Sequence, residues 1–231
     1  MSIALAAPVL NRPHAGEEKP RIDLGGISDD QYEIIGEALP ECRGNKMIDL
    51  DGEFTLVTTS RRHDWIADTI HDVIQAVALG FRLPIAIAGA ATFRKRDLTG
   101  GIEGDKTYDF GEHARIMRGG VEIDQVVQPP PDLAVEVEVT NPADRAMRTW
   151  SRLGVPEVWR FRDATGSLIY WHRNADGSYS ESEHSLGLPM LTANDVEVQV
   201  RRSDDMGYTD WSVELHDWVR DVPVPRQAGG G

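Results

Sequence analysis

Five carboxylates stand in two short segments of this sequence. Glu103 and Asp105 are two residues apart in GIEGDK, and Asp132, Glu136 and Glu138 share one parity in PPPDLAVEVEVT. On an extended chain, residues of equal parity lie on one face, so each segment can offer its carboxylates to one side. Converging from two segments, they would suit a hard cation such as Mg²⁺, which prefers carboxylate oxygens and water. A cation held in this way polarises a phosphoryl oxygen and supplies hydroxide near neutral pH. The same pattern also fits the wetted face of an antiparallel strand, and spacing alone leaves the two readings open.

Other polar residues carry weaker signals. His63 shares a helical face with Ile66, Ile70 and Ile74, so it points inward. It is either a core histidine bonded to a neighbour or a group aimed into a cleft. Asp64 suits the start of that helix through the dipole. Arg94, Lys95 and Arg96 could touch a phosphate backbone or guard an edge strand. Trp211 and Trp218, seven residues apart, have the spacing of packing residues on a helix.

The elements that must position these groups can be read from patterning. Ser28 predicts a cap for a helix over DDQYEIIGEAL, and MIDLDGEFTLVTT predicts two strands joined at Asp51-Gly52. Ser60 predicts the cap of a longer helix whose buried face is Ile66, Ile70, Val73, Ile74 and Val77, ended by Gly80. PIAIAGAATF and KTYDF read as strands. In DLAVEVEVT, the clearest strand, Leu133, Val135, Val137 and Val139 point one way and Ala134, Glu136, Glu138 and Thr140 the other. Pro142 opens a helix with Ala143, Ala146, Met147, Trp150 and Leu153 on its apolar side, and Gly154 closes it. VPEVWRF, LIYWHR and SYSES predict three more strands, and DWSVELHDWVRD a last helix. The order predicts a mixed α/β (α+β) single domain over residues 28–221. Residues 1–27 are expected as a disordered tail and 222–231 as a flexible one.

Composition narrows the class. The 231 residues are 40% hydrophobic and 27% charged, enough for one sizeable core. Cys42 is the only cysteine, which excludes an internal disulfide and a thiolate-rich zinc site and fits a cytoplasmic location. The start, MSIALAAPVL, lacks a basic leading region, and the longest apolar stretch is broken by Arg82 and Pro84, so neither a signal peptide nor a membrane span is expected. A net charge of −14 opposes avid nonspecific DNA binding through Lys and Arg. A carboxylate cluster acting through its cation is not excluded by that charge.

ATFRKRDLTGGIEGDKTYDF, then PPPDLAVEVEVT, then SRLGVPEVWRF resembles the Uma-two family of putative restriction endonucleases, within the PD-(D/E)xK nuclease superfamily. SRRHDWIADTI resembles that family's first core helix, and the likeness spans about residues 28–220. It implies a restriction-endonuclease-like fold, a central mixed sheet flanked by helices. It also implies a metal-dependent endonuclease, with Mg²⁺ or Mn²⁺ held by Asp105, Glu136 and the backbone carbonyl of Val137. Glu103, Asp132 and His63 would be companions behind these ligands. By the same likeness, water would attack a DNA phosphodiester in line and leave a 5′-phosphate. A homodimer is implied by the resemblance alone.

The sequence departs from the family pattern in three places. Gly104 replaces the proline before Asp105, Glu138 stands where the superfamily has lysine, and Ala146 occupies the helix position where many members supply one instead. Arg145 and Arg148 are the nearest substitutes, with Arg145 the candidate for a catalytic role beside Glu138. Both lie on a stripe with Arg152 almost opposite the apolar side, and arginine cannot act as a base. Two rivals therefore stand beside the nuclease: a catalytically inactive member serving as a nucleic-acid or protein interaction module, and a hydrolase of another phosphoester.

Overall fold

A computed structural model describes residues 21–38, 45–88, 92–94, 100–117 and 129–222 of the chain. Two sheets, flanked by helices, share the work of building the site. The smaller sheet contains β1 (Arg21–Gly25), β2 (Asn45–Leu50), β3 (Glu53–Thr58), β5 (Thr92–Arg94) and β6 (Gly100–Glu103) in the order β1-β3-β2-β6-β5. All of its pairings are antiparallel. The hairpin between β2 and β3 turns at Asp51 and Gly52, with φ of 57° and 72°. Two consecutive positive φ angles are what a two-residue turn matching strand twist requires, and Asp-Gly is a favoured pair for it.

The larger sheet contains β4 (Ile85–Ile87), β7 (Lys106–Phe110), β8 (Leu133–Glu138), β9 (Glu157–Arg162), β10 (Ser167–Arg173) and β11 (Tyr179–Ser182), ordered β11-β10-β9-β8-β7-β4. It is the expected mixed sheet: β8 runs antiparallel to β7 and parallel to β9. The parallel pair is linked through α4 (Asp144–Leu153), which begins just after Pro142 as expected. Along β8 every residue is buried. Leu133, Val135 and Val137 pack with Ile66, Ile70, Val73 and Ile74 of α2 (Arg61–Gly80), and the same core takes in Val196 and Val200 of α5 (Ala193–Asp205) and Trp211 and Leu215 of α6 (Tyr208–Val219). On the opposite face Ala134 packs with Ile48, Ile102 and the α4 residues Ala146, Met147 and Trp150. The alternation predicted for this strand is therefore present, but neither of its faces is wet.

Local signals account for most elements. Ser60 caps α2 by accepting the His63 N–H at 3.1 Å, and Ser28 accepts from Gln31 at the start of α1 (Asp29–Ala38). Several elements differ from the pattern reading. Residues 21–25, expected within a tail, form β1, pairing Arg21 with Val57 through Gly25 with Glu53. All five are exposed, so the strand rests on backbone bonds and on the Asp23 carboxylate, which accepts from Thr55 Oγ1 at 2.6 Å. Helix α5 was not anticipated, although Thr192 and Asp195 form a reciprocal capping box at its start. A short helix, α3 (Gly111–Ile116), follows β7. Cys42, the Lys95–Arg96 pair, residues 1–20 and the 223–231 tail lie outside the described residues. No helix among the described residues is long and apolar enough to cross a membrane.

Candidate metal centre

The register of the sheets brings distant acidic residues together. Lys106 pairs with Val135 and Thr107 with Ala134 in the antiparallel ladder of β7 and β8, so one further step sets Asp105 opposite Glu136. In the smaller sheet Ile48 pairs with Ile102 and Leu50 with Gly100; the same ladder, continued, sets Lys46 opposite Gly104. The chain passes from one sheet to the other at Gly104-Asp105, between β6 and β7. Lys46, Asp105 and Glu136 therefore meet where the two sheets join.

Their side chains make a closed set of contacts. The Lys46 ammonium donates to Asp105 Oδ1 at 3.0 Å and also to Glu136 Oε2. Asp105 Oδ2 accepts the Val137 backbone N–H at 2.8 Å and lies 3.1 Å from His63 Nε2. Glu136 Oε1 accepts the Trp150 indole N–H at 2.7 Å. Trp150 also explains the glycine before Asp105. A Cβ at position 104 would lie 2.9 Å from Trp150 Cζ2 and 3.0 Å from Thr107 Cγ2, so only glycine lets the ring close over this turn without a shift. Lys46 and His63 line two cavities, one of ≈ 460 Å³ that also meets Asp68, Glu103, Asp105 and Lys106, and a small one of ≈ 50 Å³ beside Glu136 and Ala146.

The electrostatics follow from burial with one cation between two anions. Burial opposes the Asp105 charge, but Lys46, His63 and the Val137 N–H together hold it well below the ordinary carboxylate range. At Glu136 burial wins; with repulsion from Asp105 added, it pushes the carboxyl up to about 7 despite Lys46 and Trp150. Lys46 is held above its usual range because its two carboxylate partners outweigh its burial. His63 is likewise raised: desolvation works against its charge, and the Asp105 carboxylate more than offsets that.

Other residues expected from the sequence occupy different places. Glu138 is two residues from Glu136 on the same face, yet its carboxylate accepts the Ala143 N–H at 2.6 Å and pairs with Arg160 and Arg162. Burial opposes its charge, and those three partners nevertheless keep its pKa low. It is engaged in fixing the start of α4. Arg145 reaches the other way, to Glu53 Oε2 at 2.7 Å and Thr55 Oγ1 at 2.7 Å, because its stripe of α4 faces the β2–β3 hairpin. Glu103 lines the larger cavity and accepts the Met47 N–H at 3.1 Å, stitching β6 to β2. Asp132 accepts the Phe110 N–H at 2.8 Å at the far end of β7, outside the cluster. Sequence reasoning missed Lys46. A signal was present: Lys46 has the parity of Ile48 and Leu50, both buried, so its side chain had to point inward.

The donor set fits a hard divalent cation. Two carboxylate oxygens, one from the bend before β7 and one from β8, converge on one point, the Lys46 ammonium, and a cavity opens beside it. Asp105 and Glu136 would hold such an ion once Lys46 moved aside.

No curated protein matches the chain. Among solved structures, it is similar to one described as a putative nuclease belonging to DUF820 from Anabaena variabilis ATCC 29413, with a TM-score of 0.52 and 14% identity. The likeness covers 74% of this chain and 97% of that one, and at this identity it speaks for the fold. The sequence profile of the Uma2 family, described as "Putative restriction endonuclease", matches residues 32–203, and the chain belongs to that family.

Proposed function

We propose that this protein is a Mg²⁺- or Mn²⁺-dependent DNA endonuclease in which Asp105 and Glu136 hold the ion and Lys46 takes the part of the missing lysine. One observation carries the reading: a lysine from β2 shares its ammonium between the two carboxylates that the ladder of β7 and β8 sets side by side. Ala146 lines the same small cavity as Lys46 and Glu136, so the lysine supplied from β2 stands beside the position where a lysine on α4 is lacking.

A bound Mg²⁺ or Mn²⁺ supplies Lewis-acid polarisation of the scissile phosphoryl group. The chain's own residues do the rest. Asp105 is fixed by the Val137 N–H and His63, and Glu136 by Trp150, so neither carboxylate must reorganise to bind. Lys46, kept charged by its partners, donates hydrogen bonds and stabilises negative charge developing on the phosphate. In that state it cannot act as a base. Asp105 and Glu136 would hold the ion, and Lys46, released from those two carboxylates, would orient attacking water with its ammonium.

A second reading, an inactive member that binds nucleic acid or protein, draws on the same lysine. Lys46 already neutralises part of the pair, and the net charge of −14 disfavours DNA. Nicking of supercoiled DNA in Mn²⁺, with Mn²⁺ binding followed by calorimetry, separates the two. The endonuclease requires wild-type nicking, its loss in Asp105→Asn with loss of Mn²⁺ binding, and a fall of roughly 10²–10³-fold in Lys46→Met with binding retained, the scale of a lost charge-stabilising donor. A parent that binds no Mn²⁺ and cuts no DNA would leave the interaction module.

A further inference from the structure

We propose that Asp109, His113 and Asp132 form a second cation site, separate from the Asp105 cluster and shaped for a transition-metal ion of the Zn²⁺ type. The three residues come from the end of β7, from α3 and from the residue before β8. Asp109 Oδ1 lies 3.2 Å from His113 Nδ1, and Asp132 Oδ1 lies 3.3 Å from the same nitrogen. All three ligand atoms fall within 4.8 Å of one another. Ligands about 2.0–2.2 Å from a tetrahedral zinc stand roughly 3.3–3.6 Å apart, so the observed spacing is close to that of a coordination shell.

The second observation is an unmet need at the centre of this group. The Asp109 side chain is only 4% exposed, and its Oδ1, which faces His113, is buried without a hydrogen-bond partner. A buried carboxylate oxygen left in this way is costly unless a cation meets it. The neighbouring ligand is already oriented: Asp132 Oδ2 is tied to the Phe110 N–H at 2.8 Å, which turns Oδ1 inward. Imidazole with two carboxylates is a donor set that suits zinc better than magnesium.

Such an ion would pin the end of β7 and α3 to the entry of β8, the strand that presents Glu136. It asks nothing of the nuclease chemistry, so failure of the endonuclease reading would leave it standing. The test uses full-length protein stripped with chelator and titrated with Zn²⁺ alone. In an Asp105→Asn/Glu136→Gln background, one equivalent of Zn²⁺ should still bind and raise the melting temperature. His113→Gln or Asp109→Asn added to that background should weaken binding at least a hundredfold. Zinc bound as tightly after His113→Gln, or not at all before it, overturns the proposal. Should the background variant fold poorly, crystals of the wild-type protein soaked in Zn²⁺ decide the matter. An anomalous peak among Asp109, His113 and Asp132 supports the site, and density only elsewhere refutes it.

Discussion

Glu136 and Glu138 lie two residues apart on the same face of the same strand, both buried, and their surroundings treat them in opposite ways. Around Glu138 the charges balance: two arginines, Arg160 and Arg162, meet Glu138 and the nearby Asp144, and a backbone N–H completes the shell. Around Glu136 burial, with repulsion from Asp105 added, raises the carboxyl to about 7, because the one lysine beside it is shared between two carboxylates and offsets only part of that cost. A spacing argument cannot tell such residues apart, because parity fixes only the face. What distinguishes a structural carboxylate from a candidate ligand is how much cation the fold supplies to it. Glu138 keeps a low pKa among its arginines, while Glu136 is raised beside its shared lysine, and that contrast is what the proposed ion site rests on.

The largest expected effect separates the two glutamates directly. Glu136→Gln should reduce Mn²⁺-dependent nicking at least ~10³-fold, since it removes a ligand and with it the polarising ion. Glu138→Gln should leave nicking within a few-fold and instead cost about 1–3 kcal/mol of stability, because Arg160 and Arg162 lose a buried partner. Equal losses of activity in the two variants, at matched folding, would erase the distinction.

Next in size is the pH dependence of the metal-free protein. The folded pKa of Glu136 is raised from 4.5 to about 7, so the folded state holds its proton more tightly than the unfolded chain. The resulting stabilisation is complete below 4.5 and is lost as pH rises through about 7, at up to about 1.4 kcal/mol per pH unit for one proton. His63, also raised, contributes with the same sign, whereas Asp105, which is depressed, loses its contribution only as pH falls below the ordinary carboxylate range. Denaturant unfolding between pH 5 and 8 should show a decline that Glu136→Gln flattens and that Glu138→Gln leaves in place. Saturating Mn²⁺ should also flatten it, by favouring the ionised carboxylate.

A smaller effect tests the support behind Glu136. Gly104→Ala would place a methyl against the fully buried Trp150 ring, and overpacking of that kind costs about 1–3 kcal/mol. If Trp150 yields, its bond to Glu136 loosens, and nicking should fall roughly tenfold, with a change of about 1.4 kcal/mol in the barrier. Thermal melts and a nicking assay on one preparation check both parts. An unchanged Trp150 environment with normal activity would show that the glycine is not needed for this approach.

The sequence carried more of the scaffold than of the site. Helix α2, the Asp51-Gly52 hairpin and β8 were legible because a 3.6-residue period, a turn pair and a strict alternation each have a local physical cause. Strand β1 left no trace, because all its side chains are exposed and its stability is in backbone bonds. Helix α5 offered a capping box at Thr192 and Asp195, but its buried face mixes Val196 and Val200 with Gln199 and Ser203, which blurs the apolar period. Parity offered Asp105 and Glu136 as two of five candidate carboxylates, and only family resemblance singled them out; what sets them opposite each other is a ladder register that no local pattern encodes. Lys46 was harder still. The family pattern places its lysine close to Glu136 in sequence, whereas the fold supplies one from 90 residues away, across the junction of two sheets.

The smallest expected effect concerns Arg145, which a nuclease lacking its usual lysine would most simply have recruited. Its guanidinium instead bonds Glu53 and Thr55 at the rim of the smaller sheet, and Glu53 is well exposed. An ion pair with one partner in water contributes little, so Arg145→Ala should cost less than about 1 kcal/mol by denaturant unfolding and leave Mn²⁺ affinity unchanged. Arg145 is held on the hairpin and makes no contact with Asp105 or Glu136, so cleavage should stay within about twofold of wild type, a barrier change of roughly 0.4 kcal/mol. A loss comparable to that of Lys46→Met would mean that α4 rotates on binding DNA and delivers an arginine where the free protein keeps Ala146.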